Sequence, residues 1–201
     1  MSLSSRMVVV LTSVGLISGA FLAGVGILTK ERIELNKKME IERAVISVVP
    51  GSVSGETLYE EKDFTVYGAK NEAGALQGFA IYTSGVGFQD KISLMVGVDV
   101  SLARLNSLAV LEQKETPGLG AKITDQTSFL VFWENRDFTQ PLSLRKPPAP
   151  AAENLRASEV NTITGATISS EAVLGIVNAA REKVKTLNEE GKLAPGGTHA
   201  D

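Results

Sequence analysis

The chain contains no cysteine and a single histidine. Without cysteine there is no disulfide framework, no Cys-ligated zinc or iron–sulfur centre and no thiol nucleophile. The one histidine, His199, is the third residue from the C-terminus, so no histidine cluster is available to hold a metal, and no His–carboxylate pair is expected in a core. An excess of basic charge is also missing. Twenty Lys and Arg stand against 23 Asp and Glu, for a net charge of −3, which argues against nucleic-acid binding.

What the chain does have is unevenly spread hydrophobicity. Residues 7–28, MVVVLTSVGLISGAFLAGVGIL, run 22 positions without a charge. As a helix this stretch is roughly 33 Å long, enough to cross a bilayer core. A cleaved signal peptide is the competing reading, but its apolar region would be shorter and would end at a small-residue cleavage site. Here the run leads directly into the charged helical sequence Lys30-Glu31-Arg32-Ile33-Glu34. A retained anchor is therefore expected, with a short tail at 1–6. Gly15, Gly19 and Ala23 form a small-residue row that would let another membrane helix approach closely, although such residues are also simply frequent in membrane helices. Upstream of the span stands only Arg6, whereas Lys30, Arg32, Lys37, Lys38 and Arg43 follow it. Charge bias alone would place the following domain in the cytoplasm.

Residues 29–50 read as a stalk helix, with apolar positions Ile33, Leu35, Met39, Ile41, Val45, Val48 and Val49 and a stop at Pro50-Gly51. Strand patterns follow at 64–67, 78–82, 92–98 and 105–111; Ile92, Leu94, Val96 and Val98 show the period-two alternation of a half-buried strand. Asp125 is placed to cap a short helix through Trp133. Residues 146–152 are a Pro- and Ala-rich loop, and a last helix is expected from Ser169 or Ser170 to about Glu190. The tail, 191–201, has no apolar period and is expected to be disordered. The fold class is α+β: one membrane helix, then a single domain over 51–190.

Two segments are candidates for chemistry. Glu115-Thr116-Pro117-Gly118-Leu119-Gly120-Ala121-Lys122 packs a Pro and two Gly into a tight loop with accessible backbone N–H groups. Such loops bind anions or approach a flat ligand closely, and a plain strand-to-helix turn is the alternative. Lys122 does not complete a phosphate-binding P-loop. The second segment, Asn161 to Glu171, is dense in hydroxyls, with Gly165 and Ala166 clearing space beside Thr167 and a helix starting directly afterwards. A helix N-terminus suits a phosphate; ordinary capping by Ser169 or Ser170 is the alternative. Gly85 and Gly87, in Ser84-Gly85-Val86-Gly87-Phe88, mark a further turn.

Thr164-Gly165-Ala166-Thr167 before a terminal helix resembles the (Ser/Thr)-Gly-Ala-Thr flavinylation motif, and Glu115-Thr116-Pro117-Gly118-Leu119-Gly120 resembles a second signature of the same family. With both motifs in order behind one anchor, the chain resembles the RnfG/NqrC family of FMN-binding subunits over nearly its whole length. The resemblance implies an NqrC-like FMN-binding domain and FMN joined covalently through its phosphate to Thr167, with Thr164, Gly165, Ala166 and Ser169 as surrounding context. It implies that Glu115, Thr116, Gly118, Leu119, Gly120 and Lys122 lie beside the flavin, with Gly85 and Gly87 as weaker neighbours. A flavin held through a threonyl phosphoester would supply the redox chemistry that the missing cysteines cannot.

The resemblance further implies an electron-relay subunit of a membrane-bound Rnf-type complex that couples ferredoxin/NAD electron transfer to Na⁺ or H⁺ translocation. The chain would act as a subunit of this translocase rather than as a catalyst alone. Expected partners are the other membrane subunits (through the Gly15/Gly19/Ala23 face), the lipid bilayer and an FAD-dependent transferase that installs FMN, and no metal. The family's flavin domain lies on the outer face of the cytoplasmic membrane, against the charge bias above. One departure stands out: the family has an acid three residues before the Ser/Thr of its motif, where this chain has Asn161. An NqrC-like quinone-reductase subunit and a cofactor-free membrane-tethered scaffold are the alternative functions.

Overall fold

The computed structural model describes residues 2–193, so His199 and most of the expected disordered tail lie outside the described residues. The first helix, α1 (Leu3–Val48), runs without a break through the expected anchor and stalk. The chain divides into two units, residues 1–40 and 41–201. The first unit is α1 up to Glu40. It is long and apolar enough to cross a membrane, and none of its apolar window is buried.

The second unit is built on a six-stranded antiparallel meander. Its strands are β1 (Ser54–Glu61), β2 (Phe64–Lys70), β3 (Leu76–Val86), β4 (Lys91–Asp99), β5 (Arg104–Glu112) and the short β6 (Arg136–Asp137), in spatial order β1-β2-β3-β4-β5-β6. The central strands carry the period-two signal, and both of their faces are covered. On one face, Ile92, Leu94, Val96 and Val98 of β4 join the main core with Val173, Val177 and Val184 of α2 (Thr167–Glu189). On the other, Ala44, Val45 and Val48 at the end of α1 pack on Ala69, Ala80 and Met95. Gly97 marks the closest approach there, since a Cβ at that position would collide with the Val48 carbonyl. Ile33, Leu35 and Met39 are exposed.

Four strands go beyond the sequence expectation, the two-residue β6 among them. β1 is an edge strand that pairs only with β2, with mostly exposed side chains. Two three-residue strands, β7 (Ser143–Arg145) and β8 (Glu159–Asn161), form a separate parallel pair. The helix expected after Asp125 is instead a turn followed by a 3₁₀ segment, Leu130–Trp133. Asp125 Oδ1 accepts hydrogen bonds from the N–H groups of Thr127 and Ser128 and from the Thr127 hydroxyl, closing the turn locally. Leu193, inside the stretch expected to be disordered, is 2 % exposed and joins the main core, because the turn after α2 folds it back onto the domain.

Candidate functional site

α2 begins at Thr167, earlier than the serines at 169 and 170, so Thr167 is its first helical residue. Neither serine caps the helix. Ser170 Oγ accepts a hydrogen bond from the Ile163 N–H at 3.1 Å and donates to the Ala166 carbonyl at 3.0 Å. Ser169 Oγ donates instead to Glu115 Oε2 at 2.6 Å. The N-cap residue is Ala166, and no side chain caps the helix start. The first-turn N–H groups, which have no partners within a helix, are therefore left for an external acceptor, and they carry the positive end of the helix dipole.

A cavity of about 180 Å³ opens at this helix start. Its lining brings both sequence segments together: Glu115, Thr116, Leu119 and Gly120 from one, and Gly165, Ala166, Thr167, Ile168 and Ser169 from the other. Phe88, from the turn between β3 and β4, completes the wall. Gly118 (φ +79°) and Gly165 (φ +84°) take left-handed backbone conformations that side-chain-bearing residues rarely adopt, which is how both loops turn at the rim.

The segments are pinned to one another by polar contacts. Glu115, 4 % exposed, accepts hydrogen bonds at Oε1 from the N–H groups of Phe88 (2.8 Å) and Gln89 (3.1 Å). Gln89 Nε2 donates to Thr116 Oγ1 at 2.7 Å. Within the 115–120 loop, the Thr116 carbonyl accepts from the N–H groups of both Leu119 and Ala121 at 3.1 Å. Next to Glu115 in sequence, Lys114 pairs with Asp90 at 2.9 Å. The Lys114 ammonium holds the Asp90 carboxyl below its usual range and is itself raised by that carboxylate. Both groups are solvent-exposed, so this pair adds little to stability.

Five residues expected near the flavin do not line the cavity. Thr164 and Lys122 are exposed, and Gly118 stands in the loop behind Leu119. Gly85 faces α2, where a Cβ would lie 2.6 Å from Ile176 Cγ1, and it borders a separate groove with Ala172 and Gly175. Gly87 lies against Glu115, and a Cβ there would collide with Oε1. Asn161, 2 % exposed, is turned away from solvent and bonded to the backbone of Ala149. Phe88 and Ile168, by contrast, are wall residues that the sequence reading passed over. Phe88 is 59 % exposed and Ile168 57 %, and with Leu119 at 51 % they give the cavity an apolar rim. The sequence signal for Phe88 is its place directly after Gly87.

The residues fit a flavin mononucleotide. The uncapped helix start suits the phosphate, and the apolar rim suits a flat aromatic ring. Thr167, the first helical residue, lines the same cavity.

Comparison with known proteins agrees with this reading. Residues 87–182 match the family model of the FMN-binding domain, a stretch that contains both segments. The G subunit of an ion-translocating oxidoreductase complex from Methanosarcina acetivorans is 25 % identical over 190 residues, spanning 90 % of this chain and 94 % of its own. The protein of the same name from Haemophilus influenzae is 26 % identical over 202 residues, spanning 95 % and 94 %. The crystal structure of Shewanella oneidensis NqrC matches with a TM-score of 0.50 at 20 % identity, over 72 % of this chain and 73 % of NqrC. Residues 87–182 are thus similar to an FMN-binding domain, the domain has the fold of NqrC, and the chain is similar to these oxidoreductase-complex proteins along nearly its whole length.

Proposed function

We propose that this chain is the RnfG-type subunit of a membrane-bound ion-translocating oxidoreductase complex and relays electrons through FMN joined to Thr167. The observation that carries the reading is the uncapped start of α2, where Thr167 is the first helical residue of a cavity walled by both signature segments. When bound, FMN supplies reversible electron transfer, for which this chain has no cysteine or clustered histidine of its own.

The protein's residues supply position. The first-turn N–H groups of α2 hold the phosphate, and the helix dipole favours its negative charge. Leu119, Phe88 and Ile168 would offer the ring an apolar wall. Thr167 provides the point of attachment. Attachment would be a phosphoryl transfer from FAD, in which the Thr167 hydroxyl would take the FMN phosphoryl group, give up its proton and displace AMP. No general base beside Thr167 is needed if a separate FAD-dependent transferase does this work.

In the proposed complex, α1 is the single membrane anchor, the FMN domain lies on the outer face of the cytoplasmic membrane, and the relay serves ferredoxin/NAD electron transfer coupled to Na⁺ or H⁺ movement. The small-residue row Gly15, Gly19 and Ala23 faces the other membrane subunits.

The test is flavin fluorescence in a denaturing gel of chain produced with the transferase. A fluorescent band at the mass of this chain is expected. Its absence would favour a tethered scaffold without cofactor.

A further inference from the structure

Glu115 sits where three segments meet. Oε1 takes two N–H groups from the β3–β4 turn, and Oε2 takes the hydroxyl of Ser169 in the first turn of α2. Each carboxylate oxygen therefore serves a different wall of the cavity. Two glycines keep room for this arrangement. A Cβ on Gly87 would collide with Oε1, and one on Gly120 would stand 2.6 Å from Oε2. The carboxylate is almost fully buried, and both oxygens are engaged inside the protein, so the group works by holding rather than by reacting.

We propose that Glu115 is the positioning residue of the attachment site: its one carboxylate fixes the β3–β4 turn and the start of α2 at a set separation, and so fixes where Thr167 stands against the cavity walls. The proposal rests on the reading of Thr167 as the attachment point.

Substitutions separate geometry from charge. Glutamine keeps the length. Its Oε1 accepts from Phe88 and Gln89, and its amide donates to Ser169 Oγ, since a hydroxyl accepts as readily as it donates. Aspartate is shorter by one carbon, about 1.5 Å, so it reaches one wall and not both. Alanine leaves two N–H groups without an acceptor. Ser169→Ala cuts only the link to α2.

The experiment uses the full-length chain in detergent micelles with the transferase and FAD. It follows covalent flavin per folded molecule over time, the folded fraction being measured by circular dichroism. In the unloaded protein it also follows hydrogen exchange at the Phe88 and Gln89 amides. Glu115→Gln is expected to load faster than Glu115→Ala, with both amides still protected. Glu115→Ala, Glu115→Asp and Ser169→Ala are expected to load at least about tenfold more slowly per folded molecule, as misplacement of a reacting group implies. Glu115→Ala also exposes both amides to exchange. Should Glu115→Ala fail to fold, Glu115→Asp and Ser169→Ala carry the comparison. Loading of Glu115→Asp or Ser169→Ala at the wild-type rate would overturn the proposal, as would glutamine loading no faster than alanine. If wild type itself takes up no flavin, the attachment reading is what fails. Hydrogen exchange still decides on the clamp, which is refuted if the Phe88 and Gln89 amides stay protected without Glu115.

Discussion

Asn161 and Ala149 are joined by two hydrogen bonds of 2.8 Å: the Ala149 N–H donates to Asn161 Oδ1, and Asn161 Nδ2 donates to the Ala149 carbonyl. The pair ties the Pro-rich loop to β8, a few residues before the attachment segment. An amide does both at neutral pH, whereas a carboxylate has no proton to offer a carbonyl. The residue at which this chain departs from the family pattern is therefore used as an amide inside the fold.

Asn161→Asp should be destabilising by about 2 kcal/mol or more, since it places a buried carboxylate against the Ala149 carbonyl. The loss should shrink in acid, where the protonated acid can donate again. Chemical denaturation of the two proteins at neutral and acidic pH measures both effects; equal stability at neutral pH would contradict the paired geometry.

Two glycine substitutions should act in opposite directions. Gly120→Ala places a Cβ 2.5 Å from Ser169 Oγ and 2.6 Å from Glu115 Oε2. Such overpacking costs about 1–3 kcal/mol, and here it should also lower flavin loading. Gly175, within α2, would gain a Cβ that meets nothing within 4 Å. Gly175→Ala should therefore stabilise by roughly 0.5–1 kcal/mol through helix propensity. Thermal melts of both variants check the signs.

Asp125 gives the turn before the 3₁₀ segment a pH dependence. The backbone N–H of Ser128 and the hydroxyl of Thr127 lead the contacts that hold its carboxyl down at about 2, against an ordinary 3.8. A carboxyl lowered on folding stabilises the protein above its unfolded pKa, and that contribution fades as pH falls through the folded value. The melting temperature of wild type should therefore fall between about pH 4 and pH 2 more steeply than that of Asp125→Asn. Parallel curves would show that the turn does not hold the carboxylate.

Placement of the domain outside the cytoplasmic membrane opposes the charge bias around α1, where Lys30, Arg32, Lys37, Lys38 and Arg43 follow the span. Protease added to the outside of intact cells should cut the domain. A domain that survives while a known outer protein is digested would reverse the proposed orientation.

Much of the fold is legible in the chain because its central elements are periodic. Ile92, Leu94, Val96 and Val98 announce β4, and the uncharged stretch 7–28 announces the first part of α1. β1 is silent because an edge strand has one solvated side and carries Glu56, Glu60 and Glu61. β7 and β8 are too short to show a period. The two signature segments could be read as a site, but their tie could not: Glu115 and Ser169 are 54 positions apart, and their hydrogen bond exists only once α2 packs on the sheet. Phe88 and Ile168 went unread because a lone apolar residue carries no pattern.

Mass mapping of the attachment point decides whether the flavin is held at Thr167. Chain made with the transferase is digested with trypsin, and the peptide 157–181, which holds Thr167, is fragmented. This peptide should carry the mass of FMN less one water, localised to Thr167, and Thr167→Ala should remove it while leaving the melting temperature near wild type. Flavin found on another residue, or a fully loaded Thr167→Ala chain, would refute attachment at the start of α2.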